Sequence, residues 1–347
     1  MTPTLLKFKF FKGLIKSTIY NHFCGGEIIQ DADLTAKKLQ RHGIGVIMDY
    51  GVEGLVGEEA FDSTTQTFIE TIHFAQKRDY IPFISVKITG FARHKLLQKW
   101  HLGKSLTPKE QEEKKRVIER INKICEAGAN NNTKILIDAE ESWIQKPVDE
   151  LAFMMMKRYN QEKVFIYNTY QLYRHDRLEF LKANHTQAQE QKFILGAKLV
   201  RGAYMEKERA RAEEESYESP IQTDKASCDR DFDQAVEYCL NNLDSLSLFI
   251  GTHNEKSCML AAQQMHHHGI AKNSDRVYFS QLYGMSDNVS FNLASEGFNV
   301  SKYLPYGPVA DVIPYLMRRA SENTSVAGQT SRELSLLKKE RKRRQKL

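Results

Sequence analysis

Leu246-Ser-Leu-Phe-Ile-Gly-Thr-His253 decides how the chain is read. A short β-rich run ends in a glycine, a hydroxyl and an imidazole, and a pattern with helical periodicity follows over 257–268. Seven more runs share this grammar: Ile44-Gly-Val-Ile-Met-Asp-Tyr50, Ile81-Pro-Phe-Ile-Ser-Val-Lys-Ile88, Lys134-Ile-Leu-Ile-Asp138, Val164-Phe-Ile-Tyr-Asn168, Ala197-Lys-Leu-Val-Arg201, Val277-Tyr-Phe-Ser-Gln281 and Val300-Ser-Lys-Tyr-Leu304. Between them lie helical patterns, among others over 61–77, 108–127, 148–160 and 232–243. Alternating strands and helices build parallel βαβ units. Eight such units predict an α/β chain closed as a (β/α)8 TIM-type barrel. A doubly wound sheet would want a Gly-rich turn after an early strand, and no GxGxxG occurs.

The 347 residues, 41% hydrophobic and 27% charged, suit one globular unit of this kind. We expect an N-terminal helical extension over 1–43, with Asp31 or Asp33 as a cap, the barrel over 44–330 and a basic tail over 331–347. The last ten residues, Lys338-Lys-Glu-Arg-Lys-Arg-Arg-Gln-Lys-Leu347, hold seven positive side chains and one negative, against a net charge of +6 for the whole chain. Such a tail is either a solvated end or a contact for an anionic membrane surface. A nucleic-acid partner is not expected, because no basic stripe interleaved with aromatics occurs elsewhere. Five scattered cysteines without a CxxC pair predict reduced thiols. Residues 1–26 lack the apolar core of a signal peptide and the Arg/Ser bias of a transit peptide, and no apolar run is long enough to span a bilayer.

Barrel strands deliver their C-terminal ends to one mouth. Those ends carry Asp49, Lys87, Asp138, Asn168, Lys198, Arg201, Thr252, His253, Gln281 and Tyr303. After the last strand, a helix read from about Val309 sets Tyr315, Arg318, Arg319 and Glu322 on one face, beside an apolar flank. Paired guanidiniums match a carboxylate bidentately, so the cation-rich mouth points to an anionic substrate or cofactor. Each residue also has a plainer reading: a solvated face for the arginines and Glu322, a snorkelling strand lysine for Lys87, a helix cap for Asp138. His266-His-His268 ends a helical pattern with diverging side chains, so no metal is assigned. Residue types alone leave two chemistries open. One is a Schiff-base lyase using Lys87 or Lys198; the other is redox chemistry on a bound flavin whose reduced form nearby cations stabilise.

Ala197-Lys-Leu-Val-Arg-Gly-Ala-Tyr204, Tyr303-Leu-Pro-Tyr-Gly and Tyr315-Leu-Met-Arg-Arg-Ala-Ser-Glu-Asn323 resemble the proline dehydrogenase family. Further matching stretches are His22-Phe-Cys-Gly-Gly-Glu27, Leu136-Ile-Asp-Ala-Glu140, Asn168-Thr-Tyr-Gln171, Thr252-His-Asn254 and Gln281-Leu-Tyr-Gly-Met285. The resemblance, to the stand-alone enzymes, implies a distorted barrel with non-covalent FAD and a final helix over its mouth. It implies oxidation of L-proline to Δ1-pyrroline-5-carboxylate, by hydride transfer from C5 to flavin N5, with a membrane quinone as acceptor. A non-catalytic flavin-binding relative is the alternative within the same fold. By the same resemblance Lys87, Arg318 and Arg319 would hold the proline carboxylate. Tyr204, Leu282, Tyr303 and Tyr315 would enclose the ring, while Asp138 and Lys198 would serve catalysis. Ala139, Asn168 (or Gln171), Arg201, Gly202, Ala203, Thr252, His253 and Glu322 would contact FAD, and Glu53 would gate the site by pairing with an arginine. Lys198 stands where many relatives have arginine, keeping the charge but losing the fork. The implied setting is cytoplasmic and peripheral on the inner membrane, or the mitochondrial matrix side.

Overall fold

The computed structural model describes residues 19–51, 56–325, 335 and 338–345. Its strands are β1 Ile44–Tyr50, β2 Phe83–Val86, β3 Lys134–Ile137, β4 Ile166–Gln171, β5 Leu195–Val200, β6 Leu246–Gly251, β7 Val277–Leu282 and β8 Val300–Tyr306. They pair in chain order, all parallel, and β8 closes on β1. The predicted barrel is therefore present. The helices are α1 Asn21–Phe23, α2 Ile29–Gln40, α3 Glu58–Ala75, α4 His94–His101, α5 Pro108–Asn130, α6 Ser142–Tyr159, α7 Arg177–Glu190, α8 Met205–Glu214, α9 Lys225–Leu240, α10 Glu255–His267, α11 Asp287–Ser295 and α12 Ile313–Ser325.

Local chemistry sets several of these boundaries. Thr107 and Glu110 form a reciprocal capping box around Pro108 at the start of α5. Asp224 and Asn254 cap α9 and α10 by accepting backbone N–H groups. The expected cap on α2 is absent. Its N-cap is Ile28, Asp31 lies within the first turn, and Asp33 instead accepts from Arg78 Nε and Tyr80 OH. The last helix begins at Ile313 rather than near Val309, because Val309 and Val312 are buried in the turn before it.

Strand alternation divides the core in two. Outward residues such as Met48, Ile84, Ile137, Ile250 and Leu304 join the helices in one large apolar layer. Inward residues Ile47, Phe83, Leu136, Tyr167, Phe249 and Tyr303 fill the barrel. Phe83 is the hub of that filling, with Tyr278, Phe249 and Tyr167 edge-on at 4.8, 5.0 and 5.8 Å. This aromatic plug makes the interior a solid floor under the mouth. Residues before β1 share the same core: Ala32, Ala36 and Leu39 join the outer layer. Upstream, Gly26 bridges to Tyr306 at the end of β8, and Tyr20 OH donates to the Gly307 carbonyl at 2.8 Å.

Candidate active site

Above the plug, the next inward positions are polar. Asp138, just past β3, accepts from Ser85 Oγ at 2.7 Å, Lys198 Nζ at 2.5 Å and Tyr303 OH at 2.8 Å. Lys87 Nζ stands 3.5 Å from both Asp138 Oδ2 and Asp49 Oδ1, and donates to Tyr303 OH at 3.3 Å. Burial raises the Asp138 carboxyl, but the Lys198 and Lys87 charges and the hydrogen bonds outweigh it and hold it at about 2. Tyr303 is pushed well above its ordinary value by burial and then by the Asp138 charge, so it stays a neutral phenol. The two lysines rest against carboxylates. Those are the surroundings of ammoniums kept for their charge, unlike the apolar pocket that activates a Schiff-base lysine.

Helix α12 closes the mouth from one side. Tyr315 and Leu316 are buried with Tyr303, Val309, Val312 and Tyr20 in the interior cluster, against which Leu282 packs. That docking turns the arginine face inward. Arg318 lies 5.6 Å from the Tyr204 ring centroid, and Arg319, only 5% exposed, lies 5.1 Å from that of Tyr315. The paired guanidiniums of Arg318 and Arg319 are forked donors of the kind that suits a carboxylate.

The ends of β5 and β6 form a second polar group. Arg201 donates to Asp229 Oδ1 at 2.7 Å, Thr252 Oγ1 at 2.7 Å and Ser257 Oγ at 2.9 Å, and lies over Phe232. Gly202 and Ala203 beside it are exposed. Burial, then the positive charges of Lys302 and Arg319, bring the His253 imidazole down to about 3, so it is neutral at physiological pH. Its Nδ1 pairs with Ser286 Oγ at 3.0 Å. A fixed guanidinium, a hydroxyl, a neutral imidazole and open backbone are a donor set that fits an anionic, polar cofactor such as FAD.

Not every expected residue faces the mouth. Asn168 turns outward through the barrel wall, and its Nδ2 donates to Asp149 Oδ1 on α6 at 2.9 Å. Strand parity sends Thr169 and Gln171 to the other side, where Gln171 Nε2 donates to the Glu140 carbonyl at 2.8 Å. Ala139, 9% exposed, lies between Asp138 and Glu140 at the rim. Glu53 and the Glu322 side chain lie outside the described residues. Ser85 and Lys302 carried no role in the sequence reading, whereas Asp49 was expected at the mouth and is found there beside Lys87. Ser85 has the signal of standing two residues before Lys87 on the same strand face. Lys302 is fully buried and holds the turn after β7 through the Met285 carbonyl at 2.5 Å and Asp287 at 2.8 Å.

A sequence profile of the family described as Proline dehydrogenase matches residues 32–332. The chain belongs to the proline dehydrogenase family. It is 35% identical to proline dehydrogenase 1, mitochondrial, of Dictyostelium discoideum, over 95% of this chain and 65% of that protein. It is 34% identical to proline dehydrogenase 1, mitochondrial, of Arabidopsis thaliana, over 96% of this chain and 75% of that one. Thus it spans just under two thirds of the Dictyostelium relative. Among solved structures, proline utilization A from Bdellovibrio bacteriovorus, inactivated by N-propargylglycine, superposes with a TM-score of 0.81 at 23% identity, over 90% of this chain and 34% of that one. At that identity the likeness shows the shared barrel fold alone.

Proposed function

We propose that the chain is an FAD-dependent oxidoreductase that converts L-proline to Δ1-pyrroline-5-carboxylate and passes the electrons to a membrane quinone. The observation that carries this reading is the buried placement of Arg319, with Arg318 against Tyr204, on a helix docked over the Lys87–Asp138–Tyr303 cluster. Two forks and one ammonium suit a single carboxylate and fix its plane, which leaves the attached ring little rotational freedom. Tyr204, Leu282, Tyr303 and Tyr315 supply the walls around that ring. Asp138 acts through others: it orients Lys198, Lys87 and the Tyr303 hydroxyl at once.

Arg201, Thr252 and His253, with the exposed backbone of Gly202 and Ala203, would hold FAD, with Gln171 preferred to Asn168 as the amide on the mouth side. When bound, FAD supplies the two-electron acceptor for the hydrogen leaving proline C5. The ring amine must lose its proton for its lone pair to drive that departure. Asp138 is a poor proton acceptor at about 2 and is already occupied by three donors, so the proton goes to solvent.

The quinone and the basic tail together support a peripheral place on a membrane. The two relatives named as mitochondrial favour the matrix side; the inner face of a bacterial membrane is the counterpart. The deciding experiment is a visible spectrum of the purified protein. A yellow protein bleached anaerobically by L-proline and recoloured by a soluble quinone is the expected result. A yellow protein that L-proline leaves unbleached means a non-catalytic flavoprotein. A colourless one trapped on a keto acid by borohydride means a lyase.

A further inference from the structure

The run Glu206-Lys-Glu-Arg-Ala-Arg-Ala-Glu-Glu-Glu215 gives α8 little apolar surface, and of its residues only Glu208 and Ala212 are buried. Apolar packing therefore does little to seat this helix, although Tyr204 is its N-cap and Gly202 and Ala203 lead into it. Glu208 is the anomaly, a carboxylate 0% exposed in the first turn of a solvated helix.

Glu208 reaches the start of α6. Its Oε1 accepts from the Ser142 N–H and its Oε2 from the Ser142 hydroxyl, both at 2.6 Å. Glu141, the N-cap of α6, makes no side-chain cap of its own. Glu208 thus supplies, from another helix, the acceptor and the negative charge that a helix N-terminus favours. Lys207 paired with Glu141, and Arg211 4.5 Å from the Trp143 ring centroid, flank the contact. Both fastened turns carry mouth residues. Asp138 lies four residues before Ser142, and Tyr204 four before Glu208, whose N–H donates to the Tyr204 carbonyl at 2.8 Å. The Tyr204 ring is the one that faces Arg318.

We propose that Glu208 is a positioning residue of the mouth: fastened on Ser142, it holds α8 so that the Tyr204 ring stands opposite Arg318 and walls the substrate. The part played by Tyr204 rests on the function proposed above; the fastening does not. Steady-state kinetics with L-proline, taken per bound flavin, test the first. Glu208→Ala should raise KM about five-fold or more with kcat nearly unchanged, as for a contact made equally in ground and transition states. Ser142→Pro reaches the same contact from the other side and should match it. Proline is accepted at the first position of a helix, follows the extended Glu141 and removes both donors. Glu208→Gln keeps an acceptor for the N–H and a partner for the hydroxyl, and should restore a KM near that of the parent. Tyr204→Ala should raise KM as well, and adding Glu208→Ala to it should raise it no further. Trypsin reads the fastening without substrate: cutting after Lys207, Arg209 or Arg211 should be faster in Glu208→Ala than in the parent. Equal cutting overturns the fastening. Unchanged KM in Glu208→Ala and Ser142→Pro, no rescue by Glu208→Gln, or independent effects of Glu208→Ala and Tyr204→Ala overturns the positioning role. A parent whose flavin L-proline leaves oxidised overturns the function proposed above, and the positioning role with it.

Discussion

Arg318 and Glu140 show how single side chains set what the mouth can do. Arg318 has an aromatic neighbour in Tyr204, so removing its charge would, on the function proposed above, take away a contact to L-proline without emptying the core. Losing one partner of a buried, hydrogen-bonded charge pair costs about 2–5 kcal/mol. Arg318→Met should therefore raise the KM for L-proline roughly thirty-fold or more, with flavin content retained. Steady-state kinetics with an unchanged KM would remove Arg318 from the substrate site. Glu140 is buried against Thr89, which donates from its N–H at 3.1 Å and from its hydroxyl. Burial above all, with the Glu141 charge adding, raises its carboxyl to about 8. In the unfolded chain it ionises near its ordinary value of about 4.3. Its contribution to stability is therefore full below that value and is lost as pH rises towards 8. Glu140→Gln should flatten this fall, so denaturant titrations at pH 5 and pH 8.5 should show the variant gaining on the parent at the higher pH. Parallel profiles would mean that Glu140 ionises normally. Asp138, at about 2, has the opposite sign: its stabilisation is present above the ordinary aspartate range and lost in strong acid.

Elements matter here mainly through the turns that leave the strands. Gly202, after β5, has φ +136°, and a Cβ there would lie 2.5 Å from the Tyr173 ring. Glycine alone tolerates both the dihedral and the approach. Gly202→Ala should displace the β5–α8 turn and lower the flavin-to-protein absorbance ratio severalfold, while the far-UV circular dichroism of the barrel is kept. Full flavin content in that variant would detach the turn from cofactor binding. The turn after β7 is fastened differently, by the buried Lys302 ammonium on the Met285 carbonyl and Asp287. The segment at Tyr20 to Gly26 extends the edge of β8, so the stretch upstream of β1 is part of the rim.

On the scale of the whole molecule, charge is distributed unevenly. Deleting residues 338–347 removes seven positive and one negative side chain, the equivalent of the entire net +6. Residues 338–344 are helical, and their basic side chains are exposed, with Glu340 paired to Arg343 and Arg344. Each Lys or Arg near an anionic bilayer contributes about 1 kcal/mol, screened by salt. The deletion should abolish salt-sensitive pelleting with anionic liposomes and leave the melting temperature of the barrel unchanged. Equal pelleting by both forms would take the tail out of membrane contact. No helix among the described residues is long and apolar enough to cross a membrane.

The barrel was legible from the chain because its period is local: each β-rich run and each helical pattern is specified within a dozen residues, and eight in succession leave few ways to close. The residue types at the strand ends, and the face shared by Tyr315, Arg318 and Arg319, were legible for the same reason. Strand parity at a barrel's end was not. One residue of register sends Asn168 out to Asp149 and Gln171 to the mouth, and only the pairing of β4 with β3 and β5 fixes which. Nor could sequence pair Asp49, Ser85 and Asp138 with one another and with the two lysines, since those contacts join the ends of four strands, β1, β2, β3 and β5. Charge and periodicity reside in the chain itself, whereas burial and the partner each ion finds exist only once the strands have closed.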